Sequence, residues 1–150
     1  MRNLNRERGQ SLVELAISLL VLLYLLCGAV EFGLAFFQYV QLRDAAQEGA
    51  LYGSMDPADT ANIEARVRGA SNSPINLADP GLVGIDLKID GGAVATAVGN
   101  HTACESHALQ VTVSFSHTVF MPFMSRIIGP QIPLNAVVTD TILSPTCPSP

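Results

Sequence analysis

Three side chains able to ligate a metal, His101, Cys104 and His107, recur every three residues. Imidazole nitrogens and a thiolate suit zinc or copper. No fourth ligand stands nearby, however, and Cys104 has a second outlet in Cys147. If this part of the chain lies outside the cytoplasm, a Cys104–Cys147 disulfide is the simpler expectation, with no metal or other cofactor. Cys27 sits in an apolar run and reads as a small packing residue. Two carboxylates, Glu14 and Glu31, flank that run. At about 1.5 Å rise per residue they stand on the order of 25 Å apart on one helix, too far for an acid–base pair. A carboxylate at membrane depth marks a partner or an interface. Glu31 is therefore expected either to reach solvent at the bilayer surface or to bond a neighbouring subunit. His117, at a strand end, reads as a surface or packing residue, and Asp86, Lys88 and Asp90 as a solvated strand face. No nucleophile elbow, phosphate-binding glycine loop or zinc-protease helix occurs, so no catalytic residues are expected and the chain is not read as an enzyme. The net charge of −5 argues against a nucleic-acid partner, which requires a basic surface.

The element that must carry the two carboxylates is the apolar stretch Leu12 to Phe37. About 20 mostly apolar residues cross a lipid bilayer as a helix, and Leu15 to Val30 contains no charged side chain. Arg2, Arg6 and Arg8 precede the stretch and only Arg43 follows it closely. That asymmetry predicts a cytoplasmic N-terminus and an exported remainder. An ordinary cleaved signal peptide would have a shorter apolar core ending in a small-x-small site. This core is longer and runs on without a break into a helical pattern. Ala29-x-x-x-Gly33 is a small-residue spacing that lets helices approach closely, and the expected partner is another subunit. Gly49-x-x-x-Gly53 has the same spacing, and here packing within the chain is expected.

Arg8-Gly9-Gln10-Ser11-Leu12-Val13-Glu14 resembles a type IV prepilin leader. Such leaders are cut after the glycine by a membrane peptidase, and the fifth mature residue is glutamate. The resemblance implies cleavage between Gly9 and Gln10, with Glu14 directing processing or assembly. Val30-Glu31-Phe32-Gly33 and Ala45-Ala46-Gln47-Glu48-Gly49-Ala50 extend the likeness to the TadE-like family of pseudopilins, minor pilin-like components of Tad (Flp) pilus systems. The segment Leu109 to Leu143, with Met121-Pro122-Phe123 and Ile127-Ile128-Gly129 between two strands, is similar to the family as well. Gln10 stands where many type IV pilins carry Phe, which points away from type II secretion pseudopilins. The family implies as partners a prepilin peptidase, other pilins reached through the N-terminal helix, and a pilus assembly platform in the cytoplasmic membrane. The competing reading is a membrane-tethered ligand- or metal-binding domain with an uncut Gly9.

The expected organisation is a leader (1–9), a transmembrane helix (10–37), an exported pilin-like α+β domain (38–143) and a Pro-rich tail (144–150). The helix is expected to run on to about Tyr52. Asp56-Pro57 signals a second helix from Pro57 to about Gly69, with Asp56 as its cap. Ser71 to Gly84 reads as a loop. The period then changes to two: Ile85, Leu87 and Ile89 alternate with polar residues, Asp90-Gly91-Gly92 turns the chain, and Ala93 to Val98 pairs back. Leu109, Val111, Val113 and Phe115 mark the clearest strand, and Ile132 to Leu143 the last. Three or four antiparallel strands with one apolar face need a helical cover, which the long helix can supply.

Overall fold

In a computed structural model the described residues are 4–121 and 124–147, with the backbone alone for 4–8. A single helix, α1, runs from Leu4 to Gly53. The first proline in the chain is Pro57, and α1 ends just before it, closed by Ser54 N donating to the Ala50 carbonyl. Beyond it come α2 (Thr60–Gly69), β1 (Val83–Ile89), β2 (Gly92–Ala93), α3 (Val94–Gly99), β3 (Ala108–Thr118), α4 (Ser125–Ile128) and β4 (Gln131–Thr141). The strands form one antiparallel sheet in the order β2-β1-β3-β4. The architecture is α+β, with the upper part of α1 and α2 on one face of the sheet.

Two local expectations are corrected. The second helix starts three residues late, because Asp59 rather than Asp56 caps it: the Asp59 carboxylate accepts from Asn62 N. After the turn at Asp90 and Gly91, both at positive φ, only Gly92 and Ala93 pair with β1. The run Val94–Gly99 coils into α3 instead. Its two alanines carry little strand preference, and coiling buries Val94 and Ala97 in the core.

Alternation fixes the sheet register. Val83, Leu109, Val111, Val113 and Ala136 are buried beneath the helices, while Asp86, Ser116 and Asn135 are exposed. On α1 the matching stripe is Glu31, Ala35, Leu42, Ala45, Ala46, Gly49 and Gly53, all buried and spaced at helical intervals. Its upper end is small for a reason. A Cβ on Gly49 would collide with Val67 Cγ2, and one on Gly53 with Leu109 Cδ2. The intramolecular packing expected for this pair is what the structure shows.

The lower half of α1 has no such partner. Every Leu, Ile and Val from Leu12 to Leu26 is exposed, and the helix is long and apolar enough to cross a membrane. Higher up, a Cβ on Gly28 would lie 3.7 Å from Met124 Cε of the head.

Candidate functional site

The residues singled out fall into three places. At the foot of α1, Gly9, Gln10 and Glu14 lie in unbroken helix and are exposed. A Cβ on Gly9 would meet nothing within 4 Å, so the Gly9–Gln10 bond is sterically open. The arginines expected to orient the chain lie outside what is described: Arg2 entirely, Arg6 and Arg8 in their side chains. Ala29 and Gly33 are exposed on α1. A Cβ on Gly33 would also meet nothing within 4 Å. Their small-residue surface is therefore not used within the chain.

The second place is where the head meets α1. Glu31 is buried, and its partners come from its own chain. Its Oε1 lies 2.8 Å from His117 Nε2 and accepts from Phe120 N at 3.1 Å, while Oε2 accepts from Met121 N at 3.1 Å. Neither expectation for Glu31, solvation at the bilayer surface or a bond to a neighbouring subunit, describes this arrangement. The carboxylate is occupied by β3 and the segment after it. His117 is fully buried, and its Nδ1 lies 2.6 Å from Gln38 Oε1. An oxygen thus faces each ring nitrogen, and which nitrogen donates follows the ring's tautomer and the orientation of the Gln38 amide. Either way every buried side-chain nitrogen and oxygen among the described residues has a partner. The signal for His117 lay in the alternation of β3, which places position 117 on the same face as Leu109 and Val113. Gln38, about two helical turns above Glu31, carried no signal of its own.

The third place is the far end of the head. Cys104 and Cys147 are joined by a disulfide that spans 43 residues, with Cα atoms 5.0 Å apart. The bond ties down the tail, which also binds through Glu105 N to the Pro145 carbonyl at 2.8 Å and Leu143 N to the Ser54 carbonyl at 2.7 Å. The proposed metal triplet is divided. His101 stands exposed at positive φ. His107 Nδ1 bonds instead to Asp90 Oδ2, and Asp90 Oδ1 accepts from Ala108 N at 2.9 Å. These bonds, the backbone one first, hold the Asp90 carboxyl below its ordinary value. His107 does lie with the two cysteine sulfurs in a cluster whose ligand atoms are all within 4.8 Å of one another. Sulfurs bonded to each other are not thiolates, so this cluster offers a metal only one imidazole while the disulfide stands.

Residues 9–51 match the family model for TadE-like proteins. The match begins at Gly9, the residue before the open bond, and ends two residues short of the end of α1. The TadE-like stretch is thus the long helix itself, with Glu14, Glu31, Gln38 and Gly49 all inside it. The likeness noted in residues 109–143 lies beyond the matched stretch. No curated protein and no solved structure gives a significant match.

Proposed function

We propose that this chain is a non-enzymatic minor pilin or pseudopilin of a Tad (Flp) type IV pilus assembly system. A prepilin peptidase cuts it between Gly9 and Gln10, and α1 anchors it in the cytoplasmic membrane with the N-terminus inside and the head outside. The observation that carries this reading is the form of α1. Its foot bears an open Gly9–Gln10 bond and Glu14, every Leu, Ile and Val from Leu12 to Leu26 is exposed, and its TadE-like stretch begins at Gly9. The head then serves as a filament or tip component, or in priming assembly. It is held to α1 through Glu31 and His117 and closed by a disulfide suited to an oxidising compartment.

Glu14 has a physical task in such an assembly. Cleavage frees a cationic amine at Gln10, and in low dielectric a carboxylate on an adjacent subunit is its natural counter-charge. Mass spectrometry of protein purified from membranes of cells that contain the peptidase tests the reading directly. The expected mature N-terminus is Gln10, and Gly9→Trp should leave the leader attached. Wild-type protein that retains Met1 under these conditions would overturn the proposal. Glu14→Ala and Glu14→Gln are expected to stay membrane-inserted, because they make the anchor more apolar, yet to lose co-purification with other pilins. Normal co-purification of both variants would remove Glu14 from assembly.

A further inference from the structure

After β3, the described residues Phe120, Met121, Met124 and Ile128 lie at the level of Gly28 to Phe32 on α1. Phe120 N and Met121 N are fixed there by Glu31, and Met124 reaches Gly28. Phe120, Ile127 and Ile128 nevertheless stand 70, 69 and 45% exposed, and Phe32, which lines one groove with Met124 and Ile128, 72%. A concentration of exposed apolar side chains of this kind marks an interaction site. Its charge is also unlike the rest of the head. Residues 119–134 hold a single charged side chain, Arg126, whereas the remainder of 38–150 carries ten acidic against four basic residues. Its height along α1 is set by helix geometry. Twenty residues from Leu12 to Phe32 rise about 30 Å, the thickness of a bilayer's hydrocarbon core.

We infer that this rim docks on an anionic phospholipid surface, the outer face of the bilayer that α1 crosses. Phe120, Ile127, Ile128 and Phe32 enter the boundary between headgroups and acyl chains, and Arg126 pairs with lipid phosphates. The acidic upper head is repelled by the same surface, so the docking has one orientation. The buried Glu31 carboxylate, already satisfied by three donors, can sit at this depth without a lipid partner. The inference rests on the anchor reading above.

The chain contains no tryptophan, so single substitutions report depth. Full-length Leu25→Trp, Phe120→Trp, Ile127→Trp and Leu143→Trp variants are reconstituted in vesicles of phosphatidylcholine and phosphatidylglycerol with brominated acyl chains. Leu143 is exposed beside the top of α1 and serves as the distant control. Quenching is expected at positions 25, 120 and 127 and not at 143. An unquenched position 25 would overturn the anchor reading and this inference with it. Quenching at 25 alone, with 120 and 127 behaving like 143, would overturn only the docked rim. Shielding of 120 and 127 that grows with the protein-to-lipid ratio and never responds to bromine would assign the rim to a second copy of the chain instead. Arg126→Glu in the Phe120→Trp background should lose quenching as the phosphatidylglycerol fraction rises. Undiminished quenching would overturn the pairing with headgroups.

Discussion

Glu31 and His117 show how one buried polar pair can decide where two elements meet. The Glu31 carboxylate gathers an imidazole and two backbone N–H groups. Glu31→Ala orphans all three, and leaving even one buried donor unpaired costs about 1–3 kcal/mol. The variant should therefore lose about 3 kcal/mol or more, read as a fall in the thermal midpoint of the detergent-solubilised full chain. His117→Ala should cost a comparable amount, and the double variant clearly less than the sum, because the two share one network. Additive losses would mean that the pair is not coupled. At the far end, Asp90 makes a prediction about pH. Its carboxyl is held below the ordinary value by Ala108 N and then by His107. The stabilisation is thus complete above about pH 4, the ordinary aspartate range, and fades as the pH falls through the folded value. Asp90→Asn keeps an acceptor for Ala108 N and tolerates positive φ. It should be less stable than wild type at neutral pH and converge with it in acid. A gap that stays constant with pH would contradict this account.

Among the elements, α1 was the most legible, since an apolar run without proline allows little else, and β3 followed from strict alternation. The start of α2 is not fixed by local sequence, because Asp56 and Asp59 are both competent caps and proline at position 57 favours the first. The choice is made by tertiary contacts: Pro57 is buried, and Tyr52 Oη bonds Asp59. The return strand after Gly92 is not fixed by pattern either, because Ala93 to Val98 is apolar at both helical and strand spacing. Burial of Val94 and Ala97 settled it. The pairing of Glu31 with His117, 86 residues apart, could not be read from local pattern, since each residue alone fits a bland role. Glycines on α1 give an element-scale test. Gly33→Ala meets nothing in the chain and should gain roughly 1 kcal/mol of helix propensity. Gly49→Ala drives a methyl into Val67, a β-branched side chain with little room to turn, and overpacking of about 1–3 kcal/mol outweighs that gain. If Gly33 lies against another subunit's helix, Gly33→Ala should stabilise the isolated protein and yet weaken its co-purification with other pilins. Unimpaired association would place the helix–helix contact elsewhere.

For the whole molecule, the disulfide closes a loop of 43 residues that includes β3 and β4. By the loop-entropy argument such a link stabilises by about 4 kcal/mol. Cys147→Ser should lower the denaturant midpoint accordingly and speed hydrogen exchange at Glu105 and Leu143, whose amides hold the tail. Reductant should do the same to wild type and nothing further to the variant. An unchanged midpoint would mean that the tail contributes no closure.

The attachment of the head to α1 at both ends has a mechanical consequence. The helix is a rod of about 75 Å at 1.5 Å per residue, gripped low by Glu31 and high by Gly53 and Ser54, with β3 and β4 lying between. A tensile load applied to its foot therefore acts in shear on the whole helix–sheet face at once. Peeling, in which contacts fail one after another from a free end, has no free end from which to begin.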